Sequence, residues 1–301
     1  MSVRTLAAIT SGVLTLAVLP ASAQTGDPPA ARRARYVHFY TGVGITGDSD
    51  LRIRQPGLGT DLLFEQVSWE HKSLSTQWTR DSIPYTGVRS GFFFREPRWL
   101  SMSVEVLHFK IFAEEEKSVR VRGSDEGRLV DTVAPMAQFV QQYQVTNGVN
   151  MILSNLEAHK ALARTVGFPD GRADLYGGLG AGVTIPYTRS LIDGEARGQY
   201  GWGRLATQVL GGLSWHVSPR WNITAEYKFT RTTVNGKVAA GDSRSRLHTH
   251  HLAFGLGCHF QSGAGSPGVR SSLGSQRDHR VDPGRAVRRD IGGEQPDGHE
   301  Q

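Results

Sequence analysis

The chain has 301 residues, of which 38% are hydrophobic, 21% charged and 36 are glycine. Its single cysteine, Cys258, excludes an internal disulfide framework and a multi-cysteine metal cluster. The formal charge of +6 is modest and no basic stripe interleaved with aromatics accompanies it, which argues against a nucleic-acid partner.

In chain order, residues 1–23 read as a secretory signal peptide. Arg4 supplies the charged start, Leu6 to Leu19 the apolar stretch, and Ala21-Ser22-Ala23 the small-residue site before Gln24. A linker occupies 24–35. Between Tyr36 and Phe260 the sequence breaks into segments of about ten residues with period-2 alternation, the signature of strands. Strands are predicted near 36–46, 84–94, 100–113, 146–158, 173–187, 203–217, 220–231 and 247–260. Segment 61–71 is strand-like as well and reads as a hairpin arm of the first long connection. The last stretch, 261–301, has almost no large apolar residues and balances six Arg against six Asp plus Glu, so it is expected to be disordered.

One alternating strand does not say whether its apolar face points into a core or out to lipid. In the final strand Leu252, Phe254, Leu256, Cys258 and Phe260 share one face, while His251, Ala253, Gly255, Gly257 and His259 share the other. The connections discriminate better. The intervals 47–83, 114–145, 188–202 and 232–246 are long, those at 95–99 and 218–219 short, and 159–172 is intermediate. That alternation predicts an eight-stranded antiparallel transmembrane β-barrel with long extracellular loops, with a soluble secreted sandwich as the alternative.

Two short turns allow a test of register. Centring the first on Pro97 pairs Phe92 with Met102 and Val88 with Val106 on one face, and Gly91 with Ser103 and Arg89 with Glu105 on the other. Centring the second on Pro219 pairs Trp215 with Ile223 outside and Gly212 with Glu226 inside. Opposite charges therefore meet on the presumptive interior, as cross-strand pairing favours. An eight-stranded barrel has room inside only for side chains. Arg89, Glu105, Glu226, Lys228 and Gln208 are accordingly expected to form a structural interior network rather than a transport path.

Residues 36–260 resemble the small outer-membrane barrels of the opacity and OmpA-like porin superfamily. The likeness lies in Tyr40-Thr-Gly-Val43, the glycine-rich Leu175–Val183, Ser218-Pro219-Arg220-Trp221, Ala225-Glu226-Tyr227-Lys228 and Phe260. A narrower resemblance, to the lipid A oxidase branch, rests on several motifs in order. These are Trp69-Glu70-x-Lys72-Ser73, Pro84–Arg89, His108–Ala113, Thr146-Asn147-Gly148-Val149-Asn150 and Gly180-x-Gly182-Val183-x-Ile185-Pro186. That resemblance implies oxidation of the proximal glucosamine of lipid A with molecular oxygen. A closing Phe normally ends such barrels, where the barrel-assembly machinery reads it; here 41 residues follow Phe260.

On this topology Glu70, Lys72, His108 and Lys110 gather at the outer rim and are the candidate catalytic residues. His248-x-His250 places two imidazoles on one face of a strand, a spacing compatible with a divalent metal ion; solvated loop histidines are the plainer reading. His71-x-Ser73, with Glu70 as an orienting group, would suit acyl-chain hydrolysis. No P-loop, dinucleotide fingerprint or H-E-x-x-H is present in the sequence. The expected partners are outer-membrane lipids, lipopolysaccharide and the assembly machinery. The functional alternatives are a lipid A-modifying enzyme and a non-catalytic barrel with an envelope-stabilising or adhesive role.

Overall fold

A computed structural model describes residues 33–71, 85–168 and 171–261. The expected signal peptide, most of the linker, Lys72, Ser73 and the tail beyond Gln261 lie outside the described residues. The first strands are β1 (Arg33–Thr46), β2 (Ser49–Gln55), β3 (Thr60–Val67), β4 (Trp69–Glu70), β5 (Thr86–Phe93), β6 (Leu100–Ala113) and β7 (Ser118–Asp125). They are followed by β8 (Arg128–Pro135), β9 (Gln142–Leu162), β10 (Ala173–Ile192), β11 (Glu195–Tyr200), β12 (Leu205–His216), β13 (Trp221–Val238) and β14 (Gly241–Gln261).

The eight wall strands run in the order β1-β5-β6-β9-β10-β12-β13-β14, and pairing of β1 with β14 closes the ring. All neighbours are antiparallel. The register matches the one derived from the turns: Arg89 faces Glu105, Phe92 faces Met102, Trp215 faces Ile223 and Gly212 faces Glu226. Tight turns fix it, because Phe94 N–H donates to the Leu100 carbonyl and Val217 N–H to that of Trp221.

In the lower wall the apolar residues point outward. Val88, Val104, Val106, Leu252, Phe254 and Leu256 are 39–57% exposed, whereas Arg89 and Glu105 are almost wholly buried. Trp99, Trp215 and Trp221 lie exposed beside the short turns, where an interfacial girdle belongs. From His250 to Phe260 the strand advances roughly 33 Å, or about 25 Å of height at a tilt near 40°, which is the apolar thickness a membrane barrel needs. The ring is a membrane-spanning barrel, with the tight turns at one end of the belt and the extended hairpins at the other.

Above the belt the pattern inverts within the same strands. On β14, Leu247 is buried inside while Arg244 and Arg246 face out; on β13, Val234 and Val238 are buried inside and Arg231 is exposed. The expected loop 232–246 is in fact a continuous hairpin of β13 and β14 turning at Ala239–Ala240. It can rise out of the membrane as sheet because it has an apolar core to cover. β2 pairs with the top of β14, and β3, β7 and β8 extend the sheet beyond it. Leu51, Ile53, Leu62, Phe64, Val121 and Tyr143 fill the space they enclose. Burial of each such side chain contributes about 1.5–3 kcal/mol. The hairpin arm expected at 61–71 is β3 with β2, and it roofs the barrel.

The glycines of β10 make room inside. A Cβ on Gly180 would lie 2.0 Å from Asn155 Oδ1. Gly87 likewise yields to the Tyr40 ring, which a Cβ would meet at 2.0 Å.

Candidate functional site

Two polar assemblies could carry function, one inside the barrel and one on its wall. Inside, the Arg89 guanidinium grips Glu226 through two hydrogen bonds of 2.7 and 2.8 Å and reaches Glu105 at 3.3 Å and Glu157 at 3.2 Å. Lys228 donates to Glu105 and, at 2.9 Å, to Glu226. Gln208 and Asn155 donate to the other Glu105 oxygen at 2.7 and 2.8 Å, and the Tyr36 and Tyr40 hydroxyls donate to Glu157 and Glu105. The four charged residues expected in the interior thus meet, joined by Glu157. Every carboxylate is paired, as buried charge requires. With the apolar roof above, this network leaves the lumen filled.

Glu157, Asn155, Tyr36 and Tyr40 were not singled out from the sequence. Strand parity would have found Glu157, because it faces Ser101 on the same inward row as Glu105. Toward the end with the tight turns, a small void is lined by Tyr36, His38, His159, Asp174, Tyr176 and His259. There His159 is held by Asp174 at 2.8 Å and by Ser101 at 2.9 Å.

The wall assembly sits at the upper edge of the apolar belt. On β6 the outward row runs Met102, Val104, Val106 and then His108 and Lys110. Glu70 on β4 faces outward above them, opposite Phe112 in the β4–β6 pairing. Next to His108 the regular ladder breaks: Phe109 faces Val149 but Ile111 faces Val145, so Thr146, Asn147 and Gly148 form a bulge in β9. Gly148 has φ +99°, and a Cβ there would lie 2.3 Å from His108 Nδ1. Bulges re-aim side chains in this way.

Asn150 completes the arrangement. Its amide nitrogen donates to the carbonyls of Asn147 (3.1 Å), Gly148 (3.2 Å) and Ile185 (3.0 Å). Those contacts fix the amide orientation, so Oδ1 is the acceptor facing His108 Nδ1 at 2.7 Å. The tautomer follows from the network: Nδ1 carries the proton and Nε2 the lone pair. Nε2 is buried and has no hydrogen-bond partner among the described residues. An imidazole oriented by a second group, with its basic nitrogen unspent, is equipped to act as a general base or a ligand. Asn150 is the positioning residue that sequence reading missed; it had stood only as part of a motif.

Of the four expected catalytic residues, Glu70, His108 and Lys110 share one sector of the outer wall, and Lys72 lies outside the described residues. His248 and His250 also face outward, but on β14, with β1 and β5 between them and His108. His250 Nδ1 bonds the Tyr227 hydroxyl at 2.6 Å, and among the described residues no three His, Cys, Asp or Glu groups converge as a metal would need. Two imidazoles, one of them already bonded to a tyrosine hydroxyl, do not fit the donor set of a divalent ion. His71 turns inward, stacked on Phe109 and bonded to Thr46 Oγ1 at 2.7 Å, and its burial pushes its pKa down to about 4. Glu70 points the other way, so it does not orient His71; Thr46 does.

No family model and no curated protein matches the chain. Solved structures of similar shape include Neisserial surface protein A, at 10% identity and TM-score 0.36 over 75% of this chain and 97% of that one. The outer membrane protein AlkL in lipid bilayers is similar over 82% of this chain and all of its own, at 13% identity and TM-score 0.38. The outer membrane protease OmpT of Escherichia coli gives 11% identity and TM-score 0.41 over 79% of this chain and 100% of that one. The fold rests on the closed ring itself and its outward apolar belt.

Proposed function

We propose that the protein is an outer-membrane barrel that modifies lipid A at the lipid-facing edge of its outer wall, in the manner of a lipid A oxidase. The observation that carries this reading is a convergence. His108, the Thr146–Asn150 bulge and Ile185 come from three strands and from three of the motifs that resemble that branch, and they meet through Asn150. The spot is level with the end of the apolar belt, where the sugar of a lipid A molecule packed against the barrel would lie. In this reading Asn150 holds the ring, the side chains that cover His108 Nε2 move aside as the sugar docks so that it can take a proton from a sugar hydroxyl, and Lys110 pairs with a sugar phosphate by a charge-assisted contact. Molecular oxygen is the oxidant the resemblance implies: the C1–H bond of the proximal sugar would give up its electron pair as the C1 hydroxyl loses its proton, and oxygen would leave as hydrogen peroxide. The filled interior supports action on the outside surface rather than transport through the lumen.

The test is mass spectrometry of lipid A from a host with and without the gene. The expected result is an oxidised proximal sugar that disappears with His108→Ala. Asn150→Leu, which releases the ring, should reduce the product about 10- to 100-fold, in the range typical of orienting partners. An unchanged lipid A sugar, with the barrel folded in the membrane, refutes the enzymatic reading. It would favour the non-catalytic alternative, an envelope-stabilising or adhesive barrel, to which the roof of β2, β3, β7 and β8 lends an extended outer surface.

A further inference from the structure

A second surface lies on another sector of the wall, on β13, β14 and β2. Along β14 the outward row reads Phe254, Leu252, His250, His248, Arg246 and Arg244 from the belt upward. On β13 Arg231 faces His248, and on β2 Arg52 faces Arg244. The like charges of Arg244 and Arg52 are therefore direct cross-strand neighbours, an arrangement that is destabilising unless an anion offsets it. Arg52 is neutralised by Asp61 through bonds of 2.8 and 2.7 Å. Arg231, Arg244 and Arg246 are exposed, and none of them has an ion pair or side-chain hydrogen bond among the described residues. On β7, by contrast, Arg120 is paired with Asp131 and Arg122 with Glu65. Arg231, Arg244 and Arg246 stand together in the strip directly above the lipid belt.

We infer that this strip is a binding site for the phosphates of a phosphorylated glycolipid, with the acyl chains lying on Val43, Leu252 and Phe254 below. The height of the strip argues for a phosphorylated saccharide over a glycerophospholipid. From His248 to Arg244 it climbs four residues, roughly 13 Å along the strand. A glycerophospholipid carries its single phosphate at the belt edge, whereas phosphates carried on sugars extend above it. Guanidinium forks suit such oxygens bidentately. The inference shares with the proposed function the outer-leaflet position of this belt edge, but it requires no chemistry at His108.

The full chain in phosphatidylcholine nanodiscs, titrated with labelled lipopolysaccharide, tests it. Wild type should bind lipopolysaccharide and lose at least about tenfold in affinity for the same lipid after enzymatic dephosphorylation. The triple variant R231A/R244A/R246A should bind roughly a hundredfold more weakly, and the triple Arg→Lys variant should retain most of the affinity. Gel mobility before and after heating checks that each variant is folded, and the single change Arg246→Glu gives an independent reading should the triple variant fail. Equal binding by the alanine variants, or by the dephosphorylated lipid, overturns the inference. Equal competition by phosphatidylglycerol overturns its saccharide part. Arg128→Ala, an exposed change on β8 away from the strip, should bind as wild type, and intact binding with an unmodified lipid A would refute the enzymatic reading and leave this one standing.

Discussion

Replacing Arg89 by Met tests what holds the barrel's interior together. The side chains are of similar length, so the change removes charge with little cavity. In the native interior Arg89 and Lys228 face Glu105, Glu157 and Glu226. After substitution Lys228 alone opposes the same three carboxylates, and Glu226 loses its two-pronged contact. Breaking a buried ion pair from one side costs about 3–5 kcal/mol, because the remaining charge stays desolvated. The double variant R89M/E226Q removes the orphaned carboxylate too, so its cost should be less than the sum of the single changes by about 1–3 kcal/mol. Urea unfolding in liposomes, followed by the fluorescence of the six tryptophans and by unheated gel mobility, measures both quantities. A loss below about 1 kcal/mol for R89M, or strict additivity in the cycle, would refute the claim that the network stabilises the barrel as a coupled unit.

Phe254→Arg puts a cation in the middle of the outward apolar row and should cost about 2–4 kcal/mol of stability in a bilayer, as measured by the same urea titration; a change near zero would place this face out of lipid. His71 should make the roof sensitive to acid. Its pKa is pushed down to about 4 by burial from the ordinary histidine value of 6.5, so the unfolded form gains the proton first. Stability is therefore lost as pH falls from about 6.5 to about 4, by at most about 3 kcal/mol, less whatever solvent screening removes. Protection factors for hydrogen exchange over residues 49–71, which correct for slower intrinsic exchange in acid, should be lower at pH 5 than at pH 7, and His71→Phe should remove that loss. Glu115, whose carboxyl is raised by burial, slopes the opposite way and remains in the variant as an internal contrast.

The two arginine-bearing features show how differently charge behaves on the two faces of this barrel. Arg89 is satisfied within the protein, by carboxylates that the barrel wall brings to it. Arg231, Arg244 and Arg246 have no such partner among the described residues, and they stand directly above exposed Leu252 and Phe254, where the proposed phosphorylated lipid would supply the counter-anion. The same strand, β14, thus serves lipid, interface and water in succession.

Much of the wall was legible in the residues themselves. In an unbulged strand side chains alternate, so the parity of Val88, Arg89, Glu105 and Val106 fixes which of them share a face, and a short turn fixes their partners. That sufficed for the ring, its register and the meeting of Arg89 with Glu105. The same parity does not give the third or fourth neighbour, since Glu157 and Glu226 reach Arg89 only because the ring closes and brings distant strands across a narrow lumen. The roof was equally hidden: residues 232–246 read as a loop because nothing local shows that Val234 and Leu247 face a core assembled by β2, β3 and β7. At the wall site the sequence placed Glu70, His108 and Lys110 on the rim together. Only the bulge at Thr146–Gly148 brings Asn150 against His108, because a bulge shifts the register by an amount that alternation does not encode. The pattern of side chains determines which face each residue takes; closure of the barrel decides which residues meet there.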